Sequence, residues 1–170
     1  MFKPIRWNSF IRDFIVIQAG FALFGLSIAL MIRANRGTGP WSVLEVALSQ
    51  LSKLTPGTLT VIVGFTVMLI AMALREQIGW GTVANMLFIG PWEDLFLWLI
   101  PSVKDNIAIQ VIMLLAAILV QGIASGIYIG VNAGAGPRDS LMLAAKRATG
   151  LSFQLARGII ELTVDRKSVV

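Results

Sequence analysis

The sequence predicts an all-α fold: a polytopic bundle of transmembrane helices built from two internal repeats. Three observations carry this expectation. Phe14 to Ile32, Gly57 to Leu74 and Ile107 to Val131 contain no Asp, Glu, Lys or Arg. Each is close to the ~20 residues that a helix needs to cross ~30 Å of hydrocarbon. The 170-residue chain is 56% hydrophobic and 14% charged, whereas an average soluble domain is roughly a quarter charged. Finally, Asn35-Arg36-Gly37-Thr38-Gly39-Pro40 returns as Asn132-Ala133-Gly134-Ala135-Gly136-Pro137. Each copy ends a long apolar run and opens a short amphipathic segment. A Gly-x-Gly-Pro break admits backbone angles that other residues resist, and proline pre-sets the first turn of the next helix.

In chain order, residues 1–13 form a basic N-terminus with Trp7 near the interface. The first span follows Lys3, Arg6 and Arg12 as a signal peptide would, but it is too long and ends in Met31-Ile32-Arg33. An uncleaved first helix over Phe14–Ile32 is expected. Gly25 and Ala29, four apart, offer another helix a close approach. After the hinge, Trp41 to Lys53 has Val43, Leu44, Ala47, Leu48 and Leu51 at helical spacing, with Glu45, Gln50 and Lys53 elsewhere. Thirteen helical residues reach only about 20 Å, so this piece is expected not to span alone.

Thr55-Pro56-Gly57 opens a second span, Thr58 to about Leu74. Arg75-Glu76-Gln77 and Gly79-Trp80-Gly81 mark a turn. The third span, Thr82 to Ile100, contains Asn85, Pro91 and the adjacent carboxylates Glu93 and Asp94. Helix four, Ile107 to Val131, carries Gly122, Gly126 and Gly130, which with Gly134 make three overlapping Gly-x-x-x-Gly steps, a stripe expected to pack tightly. Arg138 to Thr149 is the second short helix. An apolar helix from Leu151 then holds Arg157 and Glu161, which at four apart are expected to pair.

A shift of 97 residues aligns the halves without a gap. It puts Gly25 on Gly122, Leu44 on Leu141, Ala47 on Ala144, Leu54 on Leu151, Ile62 on Ile159, and Thr66-Val67 on Thr163-Val164. Residues 14–106 form repeat one and 107–164 repeat two. The second is expected to be incomplete, because Leu151 to Val164 is only about 21 Å long. Residues 165–170, Asp-Arg-Lys-Ser-Val-Val, match one frame of a common sequencing adapter and are expected to be a non-native tail; a genuine charged tail is the alternative. If the short helices do not span, each copy has three crossings and the repeat is inverted, as in many secondary transporters. If they do, it is parallel. Helix length favours inversion.

The hinge and its surroundings resemble bacterial membrane proteins of the YczE type, relatives of the YitT-like group. The matching residues are Arg33 to Trp41, Gly79 to Asn85 with Ile89-Gly90 and Asp94, Gly134 to Asp139 with Leu141-Met142-Leu143, and Ile160 to Thr163. The resemblance covers nearly the whole chain to Val164. It implies a multi-pass protein of the bacterial cytoplasmic membrane whose family has no assigned activity. Two departures stand out. Ser42 replaces the usual Asp after Gly-Pro-Trp, and the family's C-terminal Gly-x-Gly-Thr helix, the counterpart of Gly79 to Asp94, has no match here.

The candidate binding residues are Asn35, Gly37, Gly39, Asn85, Asp94, Asn132, Gly134, Gly136, Arg138 and Asp139. A carboxylate at membrane depth costs at least ~2.5–3.5 kcal/mol, so Asp94 and its neighbour Glu93 are candidates for a proton or cation site. The other reading is that Pro91 ends the span early and leaves both at an interface. The hinge loops present free N–H groups ahead of a helix N-terminus, a place for an anion, with Arg36 and Arg138 adding charge. Asp139 complements the helix dipole whether or not it has another role. The Trp residues at 7, 41, 80, 92 and 98 suit interface belts.

With no Cys and no His, the usual zinc, copper and iron–sulfur ligands and nucleophile–base pairs are missing. No metal, cofactor, catalytic residue or enzyme activity is expected. The net charge of +5 sits in breaks between apolar runs, where it orients the protein against lipid headgroups and is no nucleic-acid signal. The expected partners are the bilayer, a small-molecule or ion substrate and, as an open alternative, further copies of the chain. The function expected is transporter-like, moving a small solute. The alternative is a non-transporting membrane interaction or regulatory protein.

Overall fold

The apolar runs and the glycine–proline breaks between them become helices and turns close to where the sequence puts them. The computed structural model describes residues 7–104, 106–134 and 136–168, without the side chains of residue 153 and residues 165–168. Within these lie seven α-helices: α1 (Phe10–Ala34), α2 (Pro40–Ser52), α3 (Pro56–Ala73), α4 (Trp80–Leu99), α5 (Ile107–Gly130), α6 (Pro137–Thr149) and α7 (Phe153–Ser168). Of the expected non-native tail, residues 169 and 170 lie outside the described residues. So does Ala135 of the second hinge.

The helix of residues 7–34, α3 and α5 are long and apolar enough to cross a membrane. The first of these begins before Phe14 because Asp13, in the first turn of α1, complements the helix dipole. It is buried and accepts a 2.7 Å hydrogen bond from Ser9 Oγ. Pro91 does not end α4, which continues eight residues beyond it to Leu99.

Both hinges turn in the same way. Asn35 and Asn132 follow their helices with φ of 52° and 56°, and Gly37 and Gly134 take φ of 124° and 136°. Asparagine tolerates the first conformation and glycine suits the second. Pro40 and Pro137 then occupy the first turns of α2 and α6.

The hinges sit at opposite ends of α4. Arg33 at the first bonds the carbonyl of Leu97, and Val103 N–H donates to the carbonyl of Arg33 at 3.2 Å. At the second, Gly81 N–H donates to the carbonyl of Ala133 at 3.1 Å. Helices α1 and α5 run antiparallel, with Phe21 6.0 Å from Tyr128 and Ser27 Oγ donating to Gln121 Oε1 at 3.1 Å. Helix α2 packs on α3 and α7, and α6 likewise on α3 and α7.

Glycine allows the closest crossings. A Cβ on Gly57 would lie 2.1 Å from the carbonyl oxygen of Gly90, and one on Gly25 would lie 2.8 Å from the backbone N of Glu93. The glycine stripe of α5 behaves differently from expectation. A Cβ on Gly122, Gly126 or Gly130 would meet nothing within 4 Å. These glycines share α5 with exposed Leu115, Leu119 and Ile123. Among the described residues the stripe is an open face, because α1 takes the opposite side of α5 and no other helix reaches this one.

Helix α2 turns part of its polar face inward. Trp41, Ser42 and Glu45 are buried, while Leu51 is 82% exposed. In a bundle surrounded by lipid the outside is apolar, so the polar stripe turns to the protein interior.

The two hinge glycines differ in surroundings, and this has a measurable consequence. An alanine at Gly37 meets open space and carries only the backbone strain, on the order of 1–3 kcal/mol. At Gly134 its Cβ would also lie 2.6 Å from Thr82 Oγ1, which adds roughly 1–3 kcal/mol of overpacking. Thermal unfolding in detergent is expected to rank Gly134→Ala well below Gly37→Ala; equal midpoints would contradict the docking of the second hinge on α4.

Candidate functional site

The polar stripe of α2 meets polar groups from three other helices. Arg138, one residue into α6, forms an ion pair with Glu45 of α2. The Arg138 guanidinium also lies over the Trp41 ring, 5.2 Å from its centroid, a distance suited to a cation–π contact. Thr60 of α3 donates to Glu93 Oε2 of α4 at 2.7 Å. Glu45 and Glu93 are both 0% exposed. Glu45 Oε2, Glu93 Oε1 and the indole nitrogen of Trp41 are buried with no hydrogen-bond partner among the described residues.

A cavity of about 120 Å³ opens beside this cluster, between α1, α2, α3, α4, α5, α6 and α7. Its polar lining comprises Thr60, Asn85, Gln121, Tyr128, Arg138 and Asp139. Arg157 and Glu161 close one side, paired at 2.8 Å as their spacing predicts. Tyr128 donates to Asp139 Oδ2 at 2.7 Å, which holds that carboxylate against the cavity wall.

The expected site residues divide between this cavity and the hinges. Asn85, Gly136, Arg138 and Asp139 come together at the cavity. Gly136 lies so close to Asn85 that an added Cβ would be 3.3 Å from its amide. Asn35 is the exposed C-cap of α1, and Asn132, one residue past the cap of α5, is exposed as well. Gly134 is packed on Gly79 and Thr82, whereas Gly37 and Gly39 have open surroundings. Arg36, expected beside an anion, instead donates to Gln110 Oε1 at 2.7 Å.

Asp94, the foremost candidate for a proton site, faces the start of α3. It accepts from Thr55 Oγ1 at 2.6 Å and from Gly57 N–H at 2.9 Å. A carboxylate at a helix N-terminus satisfies orphan N–H groups and complements the dipole. Glu93, one position earlier, is turned by about 100° around the helix and points inward instead. Trp41, expected to suit an interface belt, is buried with Arg138 over its ring.

Sequence reasoning passed over Glu45, Thr60, Trp41 and Tyr128. A signal for Glu45 exists: Ser42, Glu45, Ser49 and Ser52 form a polar stripe on a helix between membrane-length runs, and in lipid such a stripe faces protein. No local signal marks Thr60 or Tyr128.

Residues 11–165 match the model of a family described as a family of unknown function, DUF6198. The chain belongs to this family. It is similar to the uncharacterized membrane protein YczE of Bacillus subtilis (strain 168), 29% identical over 161 residues, covering 94% of the chain and 72% of the relative. An uncharacterized protein of Haemophilus influenzae is 25% identical over 161 residues, covering 93% and 72%. No solved structure matches. The chain is thus a YczE-type membrane protein of the DUF6198 family, and no activity comes with that membership.

Proposed function

We propose that this DUF6198 protein is a multi-pass protein of the bacterial cytoplasmic membrane that moves a small solute through the central cavity, with a proton bound at Glu93. It is a non-enzymatic reading, in keeping with a sequence that lacks His and Cys. The observation that carries it is the charge count at the buried cluster. Glu45 and Glu93 are both fully buried; Arg138 pairs with Glu45, and among the described residues Glu93 has the Thr60 hydroxyl but no cation against it. An ionised carboxylate without a counter-charge is costly at membrane depth, so binding one proton restores neutrality. Losing it requires a rearrangement of the cluster, which links proton movement to the helices around the cavity.

The architecture behind the proposal is an inverted repeat. The helices of residues 10–34, 40–52 and 56–73 recur near 107–130, 137–149 and 153–168, close to the 97-residue shift of the sequence. The antiparallel course of α1 and α5 supports inversion over a parallel repeat, and so do hinges at opposite ends of α4. In this reading the cavity lies at the junction of the two copies, where transporters of this kind bind their substrates.

Proteoliposome uptake driven by a pH gradient tests the proposal, with a panel of small anions, zwitterions and amines. Uptake of at least one solute is expected to fall by roughly a hundredfold in Glu93→Gln, the size of a lost proton-transfer group. Asp94→Asn is expected to retain gradient-driven uptake, since Asp94 caps α3. No flux of any solute, or equal flux with and without Glu93, would end the transport reading.

A second reading, a non-transporting interaction or regulatory protein, is favoured by the open glycine face of α5. For it, a discrete partner should co-purify with the chain and be lost on Gly126→Leu.

A further inference from the structure

We propose that the cavity binds the carboxylate group of a small solute, gripped by the Arg138 guanidinium and the Trp41 indole N–H in competition with Glu45. This deepens the transport reading above by naming the chemistry of the solute, but the binding itself does not depend on flux.

Trp41 is the independent observation. Its indole nitrogen only donates, is buried without a partner among the described residues, and belongs to a side chain that lines the cavity. Leaving such a donor unsatisfied is unfavourable, and a solute with an acceptor oxygen resolves it. The guanidinium stacked on the same ring supplies the charge. Arg138 has five donors in a fork that matches a carboxylate, and its bond to Glu45 runs through Nη2. Pro137 and Gly136 also line the cavity at the start of α6. There the first helical bond is made by Ser140 N–H, at 2.8 Å to the carbonyl of Gly136. The N–H groups of Arg138 and Asp139 therefore have no intrahelical acceptor.

The cavity also limits the solute. About 120 Å³ holds about four water molecules at roughly 30 Å³ each, room for a small organic acid and little more. Two carboxylates stand on the wall, Asp139 with Tyr128 and Glu161 with Arg157. They oppose a second negative charge but leave room for an ammonium group, so a monocarboxylate or a small zwitterion fits and a phosphate dianion does not.

Glu45 is the internal competitor. A bound carboxylate that takes the fork of Arg138 displaces the carboxylate that already holds it. Removing the charge of Glu45 should therefore tighten binding, the reverse of what a supporting residue would do.

Calorimetric titration of the purified chain in detergent tests this with propionate, alanine, inorganic phosphate and propylamine. Propionate or alanine is expected to bind. Trp41→Phe, which keeps a ring over the guanidinium, should weaken that binding about tenfold or more. Arg138→Lys should weaken it further, and Glu45→Gln should strengthen it several-fold. Binding of alanine but not propionate, lost in Asp139→Asn, would identify a zwitterion. Binding of phosphate or propylamine alone, no binding of any probe, indifference to Trp41→Phe, or weakening by Glu45→Gln would overturn the proposal. Binding without flux would remove the transport reading and leave this one standing; flux confined to solutes without a carboxylate would do the opposite.

Discussion

Replacing Arg138 with methionine is expected to destabilise the chain by about 3–5 kcal/mol, the cost of leaving a buried carboxylate without its counter-charge. Glu45 is 0% exposed and its ion-pair partner is Arg138. Glu93, buried alongside, gains no new cation from the change. The double variant Glu45→Met with Arg138→Met removes both charges and keeps similar side-chain volume, so it should regain most of the loss. Denaturant titration in mixed micelles reads both values. If the double variant is as unstable as the sum of the two single ones, the pair is not coupled and the cluster has been misread.

Gly90→Val is expected to be at least as damaging. Its Cβ would sit 2.2 Å from the carbonyl oxygen of Gly57, and this atom belongs to a helix backbone rather than to a movable side chain. Overpacking ordinarily costs about 1–3 kcal/mol and more where the neighbour cannot shift, so α3 and α4 should separate at this crossing. Gly126→Leu makes the contrast. Its Cβ meets nothing, and replacing a helical glycine gains up to about 1 kcal/mol in propensity. Monodisperse yield on size exclusion and the thermal midpoint in detergent should fall sharply for Gly90→Val and hold or rise for Gly126→Leu. Loss of folding in Gly126→Leu would mean that the α5 stripe is covered after all.

The helices of this protein were legible because their signals are local. A charge-free run of membrane length announces a span, and Gly-x-Gly-Pro announces a break, whatever surrounds them. The ends of α2, α4, α5 and α6 accordingly fall within about two residues of expectation, the usual uncertainty of helix boundaries. The Arg157–Glu161 pair was legible for the same reason, being one turn apart on one helix. Of the candidate residues, Asn85, Gly136, Arg138 and Asp139 lie together on the lining of one cavity.

What the sequence did not show is which way a side chain faces. Asp94 and Glu93 are adjacent, and composition cannot say which of them turns to the helix start and which to the interior. The glycines of α5 follow a close-packing pattern, yet pattern alone does not bring a helix to them. In contrast Gly90, in no repeated motif, lies at a crossing where an added Cβ would be 2.2 Å from the carbonyl oxygen of Gly57.

By itself, then, the sequence determined a membrane-length helical chain, two like hinges and the positions of its turns. These follow from hydropathy and backbone sterics, which act over a few residues. Only the tertiary structure decided that Glu45 meets Arg138 across 93 positions and that Glu93 rather than Asp94 is sealed inside. It also turned Trp41 toward a cavity with an unused donor. Such pairings depend on how helices rotate about their axes when they pack. In lipid the polar faces turn inward to find one another, and which partners they find is set by the whole bundle.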